Sequence, residues 1–155
     1  MRKADIPFLT LVELARLIRR NEISPVDVIE AYVDRIGELN PGLNAYITVS
    51  ADSAMESARR AERSISKGQY IGVMHGIPVA VKDQIWTKDS PSTNGSTILS
   101  HYVPKDDATV IAKLRESGAI ILGKLNMSEW AYYFCRPCPV CLLYTSPRTR
   151  DATLS

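Results

Sequence analysis

Lys82 stands directly after residues 77–81, an apolar run that predicts a buried strand, and it precedes Asp83. A lysine buried at such a strand end loses solvation, which disfavours its charged form and lowers its pKa. In the neutral form it can take the proton of a serine hydroxyl, as in serine–lysine hydrolases. The alternative is a solvated strand end in which Lys82 and Asp83 pair with each other or with water, and spacing alone favours this alternative because most lysines are exposed.

The place of these residues in a sheet favours a site. Ligands of open α/β sheets collect at the carboxyl ends of the strands. Lys82 and Asp83 lie at one predicted strand end, and Gly123, Lys124 and Asn126 lie at another. We therefore expect the two groups to border one site.

A third set of candidate residues is the cysteine cluster Cys135, Cys138 and Cys141. Cys-x2-Cys-x2-Cys spacing occurs in iron–sulfur proteins, but a fourth ligand is needed. His75 and His101 are far away in sequence, so we predict no metal site and no cofactor. A non-catalytic metal-binding module that uses the three cysteines stays open as an alternative of another functional class.

Composition limits the possible functions. The chain has 155 residues, of which 45% are hydrophobic and 23% are charged, with a net charge of +2. This charge is too small to favour nucleic acid or an anionic membrane surface as a partner. No apolar run approaches the roughly 18 residues that a membrane span needs, and no signal peptide is evident at the N-terminus. We predict a cytoplasmic protein.

Apolar periodicity and capping residues predict the helices. The first follows the N-cap Thr10, and the second begins at Ser24-Pro25 and stops at Asn40-Pro41-Gly42. The remaining predicted helices are 52–67, 106–117 with the acidic pair Asp106-Asp107 at its start, and a last one capped by Ser128.

Short β-rich segments alternate with these helices. The predicted strands are Tyr46 to Val49, Ile77 to Val81 and Ala119 to Leu122, and residues 87–105 form a long loop. Strands separated by helices indicate an α/β fold with a partly parallel sheet. Long loops in compact domains are often functional.

Four segments, in order along the chain, resemble the amidase signature family. They are Gly76-Ile-Pro-Val-Ala-Val-Lys-Asp83, Thr93-Asn-Gly-Ser96, Asp107-Ala-Thr-Val-Ile-Ala-Lys-Leu-Arg115 and Gly118-Ala-Ile-Ile-Leu-Gly-Lys-Leu-Asn-Met-Ser-Glu-Trp-Ala131. The resemblance covers about residues 6 to 132. It implies an α/β/α sandwich around a mixed sheet, of which this chain holds an incomplete N-terminal part, and an enzyme that hydrolyses C–N bonds other than peptide bonds.

The resemblance also implies the site residues. The family uses a Ser–cis-Ser–Lys triad, and its lysine matches Lys82. The segment around Ala131 runs along the family's substrate pocket, so Ala131 is a candidate for substrate contact. No cofactor is implied.

The serines of that triad have no match in the sequence. In the family they belong to a Gly-Gly-Ser-Ser-Gly-Gly-Ser type of motif, which also supplies the oxyanion donors. Ser146 and Ser155 stand in another context, and Ser92, Ser96 and Ser100 lie in the loop after Lys82. We expect the chain to be truncated before the serines and to be inactive by itself.

The resemblance stops near Tyr133, and the composition changes there. We divide the chain into residues 1–133, the N-terminal part of the amidase domain, and residues 134–155, a tail without family resemblance. The tail is a metal site, a natural variant, or sequence foreign to the gene. We favour the third explanation because the break interrupts a motif, and we expect the tail to be disordered.

Two substrates fit the resemblance. One is a small-molecule carboxamide hydrolysed by a free-standing amidase. The other is the substrate of the A subunit of an aminoacyl-tRNA amidotransferase, which works with partner subunits. Ser128-Glu-Trp-Ala131 favours the free-standing amidase, although a fold and its motif do not fix a substrate.

Overall fold

A mixed sheet of three strands forms the centre of the fold. The computed structural model describes residues 2–132. The strands are β1 (Tyr46–Val49), β2 (Pro78–Lys82) and β3 (Ile120–Leu125), in the spatial order β1-β3-β2. β2 runs parallel to β3 and β1 runs antiparallel to it. The predicted α/β class with a partly parallel sheet is confirmed.

Residues 2–132 also contain four α-helices, the last three of which contact strands of this sheet. They are α1 (Leu11–Arg19), α2 (Pro25–Leu43), α3 (Ala51–Ser66) and α4 (Thr109–Glu116). Short 3-10 turns lie at Lys3–Phe8, Thr97–Leu99 and Glu129–Ala131. Within residues 2–132, no helix has both the length and the apolar character that a membrane crossing requires.

The predicted helix starts are confirmed for α1 and α2. Thr10 and Glu13 form a reciprocal capping box at α1. Ser24 accepts the Val26 N–H, and Pro25 occupies the first position of α2. The predicted stop of α2 is wrong, because the helix runs through Pro41 to Leu43. A missing N–H in the last turn removes only one hydrogen bond, and left-handed Asn44 then ends the helix by donating to Asn40 O at 2.7 Å.

Two further boundaries differ from the prediction. α4 begins at Thr109 rather than at Asp106, because the Asp107 carboxylate is engaged before the helix: it accepts the Lys88 N–H at 2.7 Å and pairs with Arg115 at 2.9 Å. The helix predicted after Ser128 is only a 3-10 turn, and Ser128 makes no capping bond there.

β3 is longer than predicted, and this changes the position of Lys124. Gly123 and Lys124 lie inside the strand, not beyond its end. The strand continues because β1 pairs with Gly123–Leu125 on one side, while Lys82 of β2 is level with Leu125 on the other.

Side chains of β3 pack on both faces of the sheet. Ile120 and Leu122 contact a buried cluster from α2 and α3 that includes Ile29 and Ala58. On the opposite face, Ile121 packs with Val81 of β2 and Ile111 of α4. Complete burial of one such aliphatic side chain contributes about 1.5–3 kcal/mol. The strand carrying Lys124 is therefore held from both sides.

A bulge in β3 requires a glycine. Val79 is level with Ile121, whereas Ala80 is level with Gly123, so β3 has one extra residue at this point. Gly123 has φ +155°, and a Cβ there would lie 2.2 Å from Thr48 O of β1. Only a residue without a Cβ allows the two backbones to approach so closely.

We predict that Gly123→Ala lowers the free energy of unfolding by at least about 2 kcal/mol, because β1 must move away from β3. The matched control is Gly42→Ala in α2, where an added Cβ meets nothing within 4 Å, and alanine is the better helix former. Urea denaturation of both variants measures the difference. Equal stability of the two would contradict the close approach of β1.

Candidate functional site

Lys82 is the last residue of β2, and its side chain is exposed. Its carbonyl accepts the Ile85 N–H at 3.0 Å, which starts a turn directly after the strand. Among residues 2–132, no ion pair joins Lys82 to Asp83. The alternative to a chemical role is a solvated strand end in which these residues pair with each other or with water. The pair is not formed, but the exposed Lys82 side chain agrees with a solvated strand end, and residues 2–132 do not provide the burial considered for Lys82.

Asp83 is completely buried, and its side chain points into the protein, away from the exposed side chain of Lys82. Its carboxylate accepts the Thr93 N–H at 3.0 Å, the Thr93 hydroxyl at 2.6 Å and the Gly95 N–H at 3.2 Å. Its own N–H donates to Leu125 O of β3 at 3.0 Å. Asp83 thus connects the strand end that carries Lys82 with the Thr93-Asn-Gly-Ser96 segment.

Lys124 is also completely buried. Its Nζ donates to Ile85 O, to Thr87 Oγ1 at 3.3 Å and to Ser92 Oγ at 2.7 Å. Burial lowers the pKa of Lys124 to about 8, and the negative charge of Asp83 acts in the opposite direction. The sequence pattern placed Lys124 near the site but did not indicate its burial. Its burial follows from the register, in which Lys124 is level with Val81 inside the sheet, and no local sequence signal gives that register.

A second set of contacts joins the loop to the chain after β3. The Ser96 hydroxyl donates to Glu129 Oε1 at 2.7 Å, and the Trp130 N–H donates to Asn94 O at 2.8 Å. Gly95 lies so close that a Cβ would be 2.9 Å from Met127 O. Three of the four motif segments therefore meet around Asp83.

Ala131 follows directly after these contacts. Both Trp130 and Ala131 have positive φ, 53° and 58°, and both are exposed. Non-glycine residues in this conformation are uncommon and often occur at functional sites. The predicted contact of Ala131 with substrate stays a prediction.

The metal-ligating candidates do not come together in the described part of the chain. His75 is buried, burial lowers its pKa, and its Nδ1 accepts the Ile71 N–H at 3.3 Å. His101 is exposed. Residues 2–132 contain no group of three or more His, Cys, Asp or Glu side chains placed to hold a metal ion. The cysteine cluster and the predicted tail 134–155 lie outside the described residues.

Comparison with known proteins identifies what the chain is similar to. A family model described as Amidase matches residues 27–150. The chain is 43% identical over 129 residues to the Mycobacterium bovis protein named "Putative amidase AmiD", covering 83% of this chain and 27% of that protein. It is 41% identical over 128 residues to the A subunit of the glutamyl-tRNA(Gln) amidotransferase of Acidothermus cellulolyticus, covering 83% of this chain and 25% of that protein.

Solved structures agree with the sequence comparisons. The native peptide amidase of Stenotrophomonas maltophilia superposes with a TM-score of 0.77 at 33% identity, covering 82% of this chain and 27% of that one. The chain spans about a quarter of the length of the curated relatives that it matches.

We predict that Lys124 makes stability rise with pH. Folding lowers its pKa from 10.5 to about 8, so the unfolded chain binds more protons between these values and the free energy of unfolding rises with pH there. From pH 7 to pH 9 the wild type should gain about 1 kcal/mol relative to Lys124→Met. Denaturation at both pH values and an NMR titration of Lys124 check this. A Lys124 midpoint above pH 10 would contradict it.

We predict that Asp83→Asn lowers the free energy of unfolding by about 2 kcal/mol. The three donors then bond to a neutral amide oxygen instead of the charged Oδ2, and the amide NH2 takes the buried place of Oδ1, 3.2 Å from the Thr93 N–H. Asp89→Asn in the same loop is the control. Asp89 is exposed with φ 62°, a conformation that asparagine tolerates, so its change should stay within about 0.5 kcal/mol. Thermal unfolding of the two variants compares them, and equal losses would show that Asp83 has no special role.

Proposed function

The chain belongs to the amidase family, and on that basis we propose that Lys82 is the catalytic base of an enzyme that hydrolyses a carboxamide C–N bond. One observation carries the proposal. Lys82 stands at the carboxyl end of β2 with an exposed side chain, while its neighbour Asp83 is buried and fixed by three hydrogen bonds. Ligands of α/β sheets collect at such strand ends.

The proposed reaction uses a Ser–cis-Ser–Lys triad. The neutral amine of Lys82 takes the proton of the bridging serine, which in turn takes the proton of the nucleophilic serine. The nucleophile attacks the amide carbonyl, the proton passes to the leaving nitrogen, and ammonia or an amine departs from an acyl-enzyme. Water then attacks the ester and regenerates the serine. Lysine acts as a base only in its neutral form, which desolvation favours, so Lys82 has to be covered by other parts of the enzyme.

The two serines are proposed to lie outside this chain. No Gly/Ser-rich motif occurs in the 155 residues. Ser92 is fully buried and accepts the Lys124 ammonium, and Ser96 is engaged with Glu129. These contacts give both serines structural roles. We infer that the chain is truncated before the nucleophile and the oxyanion donors and is inactive by itself.

Ammonia release from a simple carboxamide tests the proposal. The 155-residue chain should show no turnover. In the full-length protein, Lys82→Ala should lower kcat by a factor of about 10²–10⁴, the usual contribution of one positioned general base. Lys88→Ala, which removes an exposed lysine of the loop that follows β2, should change kcat less than twofold. Full activity of Lys82→Ala would contradict the proposed base.

A second candidate function is that of the A subunit of an aminoacyl-tRNA amidotransferase, in which the released ammonia passes to a partner enzyme. The 41% identity to such a protein supports it. The two candidates differ in what the full-length protein needs. A free-standing amidase releases ammonia alone, whereas the amidotransferase component copurifies with partner subunits and supplies ammonia to them. The proposed carboxamide substrate, the contact of Ala131 with it and the cytoplasmic location stay predictions.

A further inference from the structure

The buried ammonium of Lys124 contacts groups spread over eight residues of the loop after β2. Ile85 supplies its carbonyl, and Thr87 and Ser92 supply hydroxyl oxygens. A buried charge without acceptors is strongly unfavourable, so the loop has to keep all three groups at this point of β3. The Lys124 side chain thereby holds three loop residues that are distant from it in the sequence.

The same contacts lead directly to Lys82. The Ile85 N–H donates to Lys82 O at 3.0 Å, and the Ile85 carbonyl accepts a hydrogen bond from the Lys124 ammonium. On the strand side, the Asp83 N–H donates to Leu125 O, the residue after Lys124. The backbone on both sides of the Lys82–Asp83 peptide is thus tied to the segment Lys124–Leu125.

Other interactions hold the first part of this loop: Ile85 packs against a buried apolar cluster, the Trp86 carbonyl accepts the Ala108 N–H at 2.9 Å, and the Lys88 N–H donates to Asp107. Its core consists of small polar residues, since Thr87, Ser90 and Ser92 are all buried. From Ser90 to Ser92 the backbone N–H bonds are Ser90 N–H to Thr87 O at 3.2 Å and Ser92 N–H to Tyr102 O at 2.9 Å. The Ser90 hydroxyl is buried and has no partner among the described residues. Apolar packing involves Ile85 and Trp86 but no residue from Thr87 to Ser92, so loss of Lys124 should loosen residues 87–92 first.

We propose that Lys124 is a positioning residue: it clamps the loop 85–92 onto β3 and through Ile85 fixes the orientation of Lys82. The inference deepens the proposed function and rests on it for the role of Lys82. The clamp itself is a property of the chain's own contacts and can be measured without turnover.

Amide hydrogen exchange of the 155-residue chain tests the clamp. Lys124→Met should speed exchange at Ile85, Ser90 and Ser92 at least tenfold and leave the α2 amides unchanged. Lys113→Met, which replaces an exposed lysine of α4, is the control and should change none of them. An unchanged loop, or equal acceleration in α2 and the loop, would overturn the proposal.

Two milder variants keep the test decisive where Lys124→Met does not fold. Ser92→Ala and Thr87→Val each remove one acceptor and leave the lysine in place. Each should speed exchange severalfold at Ser92 or Ser90, with the α2 amides unaffected. Unchanged exchange in both variants would overturn the clamp.

An NMR titration separates positioning from simple packing. Lys124 has a pKa of about 8, and Asp83, at the end of β2, is the charged group that acts on it. The Cε signal of Lys82 should show an inflection at the Lys124 midpoint, which Lys124→Met removes and Lys113→Met retains. A Lys82 Cε signal without an inflection at the Lys124 midpoint would overturn the positioning role. If the clamp holds while Lys82→Ala keeps full turnover in the full-length protein, the proposed function alone is wrong.

Discussion

The burial of the Lys124 ammonium is the constraint on which the rest of the site depends. A charge removed from water requires acceptors, and no carboxylate lies within ion-pair distance of it among residues 2–132. The loop after β2 supplies them instead, through Ile85, Thr87 and Ser92. That loop must therefore fold back over β3. Residues 87–92 have a defined path because Thr87 and Ser92 bind the buried cation and the Lys88 N–H binds Asp107.

Asp83 complements this arrangement from the neighbouring strand. Successive residues of a strand point to opposite sides, and the order at the end of β2 is buried Val81, exposed Lys82 and buried Asp83. The inward carboxylate holds Thr93 and Gly95, while Lys124 holds the earlier half of the loop. Two buried charges of opposite sign thus fix the loop, and Lys82 is left directed outward at the strand end. A base that serves a serine from another part of an enzyme requires this direction.

Local signals in the sequence predicted the elements well, and tertiary contacts decided where they failed. The N-cap Thr10 and the Ser24-Pro25 start were predicted because their partners lie within three residues. The end of β3 was not, since only pairing with β1 and β2 extends the strand through Gly123 and Lys124. For the same reason the sequence marked Lys82 as the candidate base and Lys124 as a residue at a second strand end, but not which of them is buried. The exposure of Lys82 and the burial of Lys124 depend on register, which no local pattern contains.

The central claim is that Lys82 is a base whose serine partners come from outside these residues. The most direct test is a crystal structure of the full-length protein, in which the distance from Lys82 Nζ to the nearest serine Oγ is measured. We predict a hydrogen bond of about 2.6–3.2 Å to a serine of a Gly/Ser-rich segment, with Lys82 covered from solvent. A Lys82 side chain that remains in solvent, with every serine hydroxyl beyond hydrogen-bond reach, would contradict it.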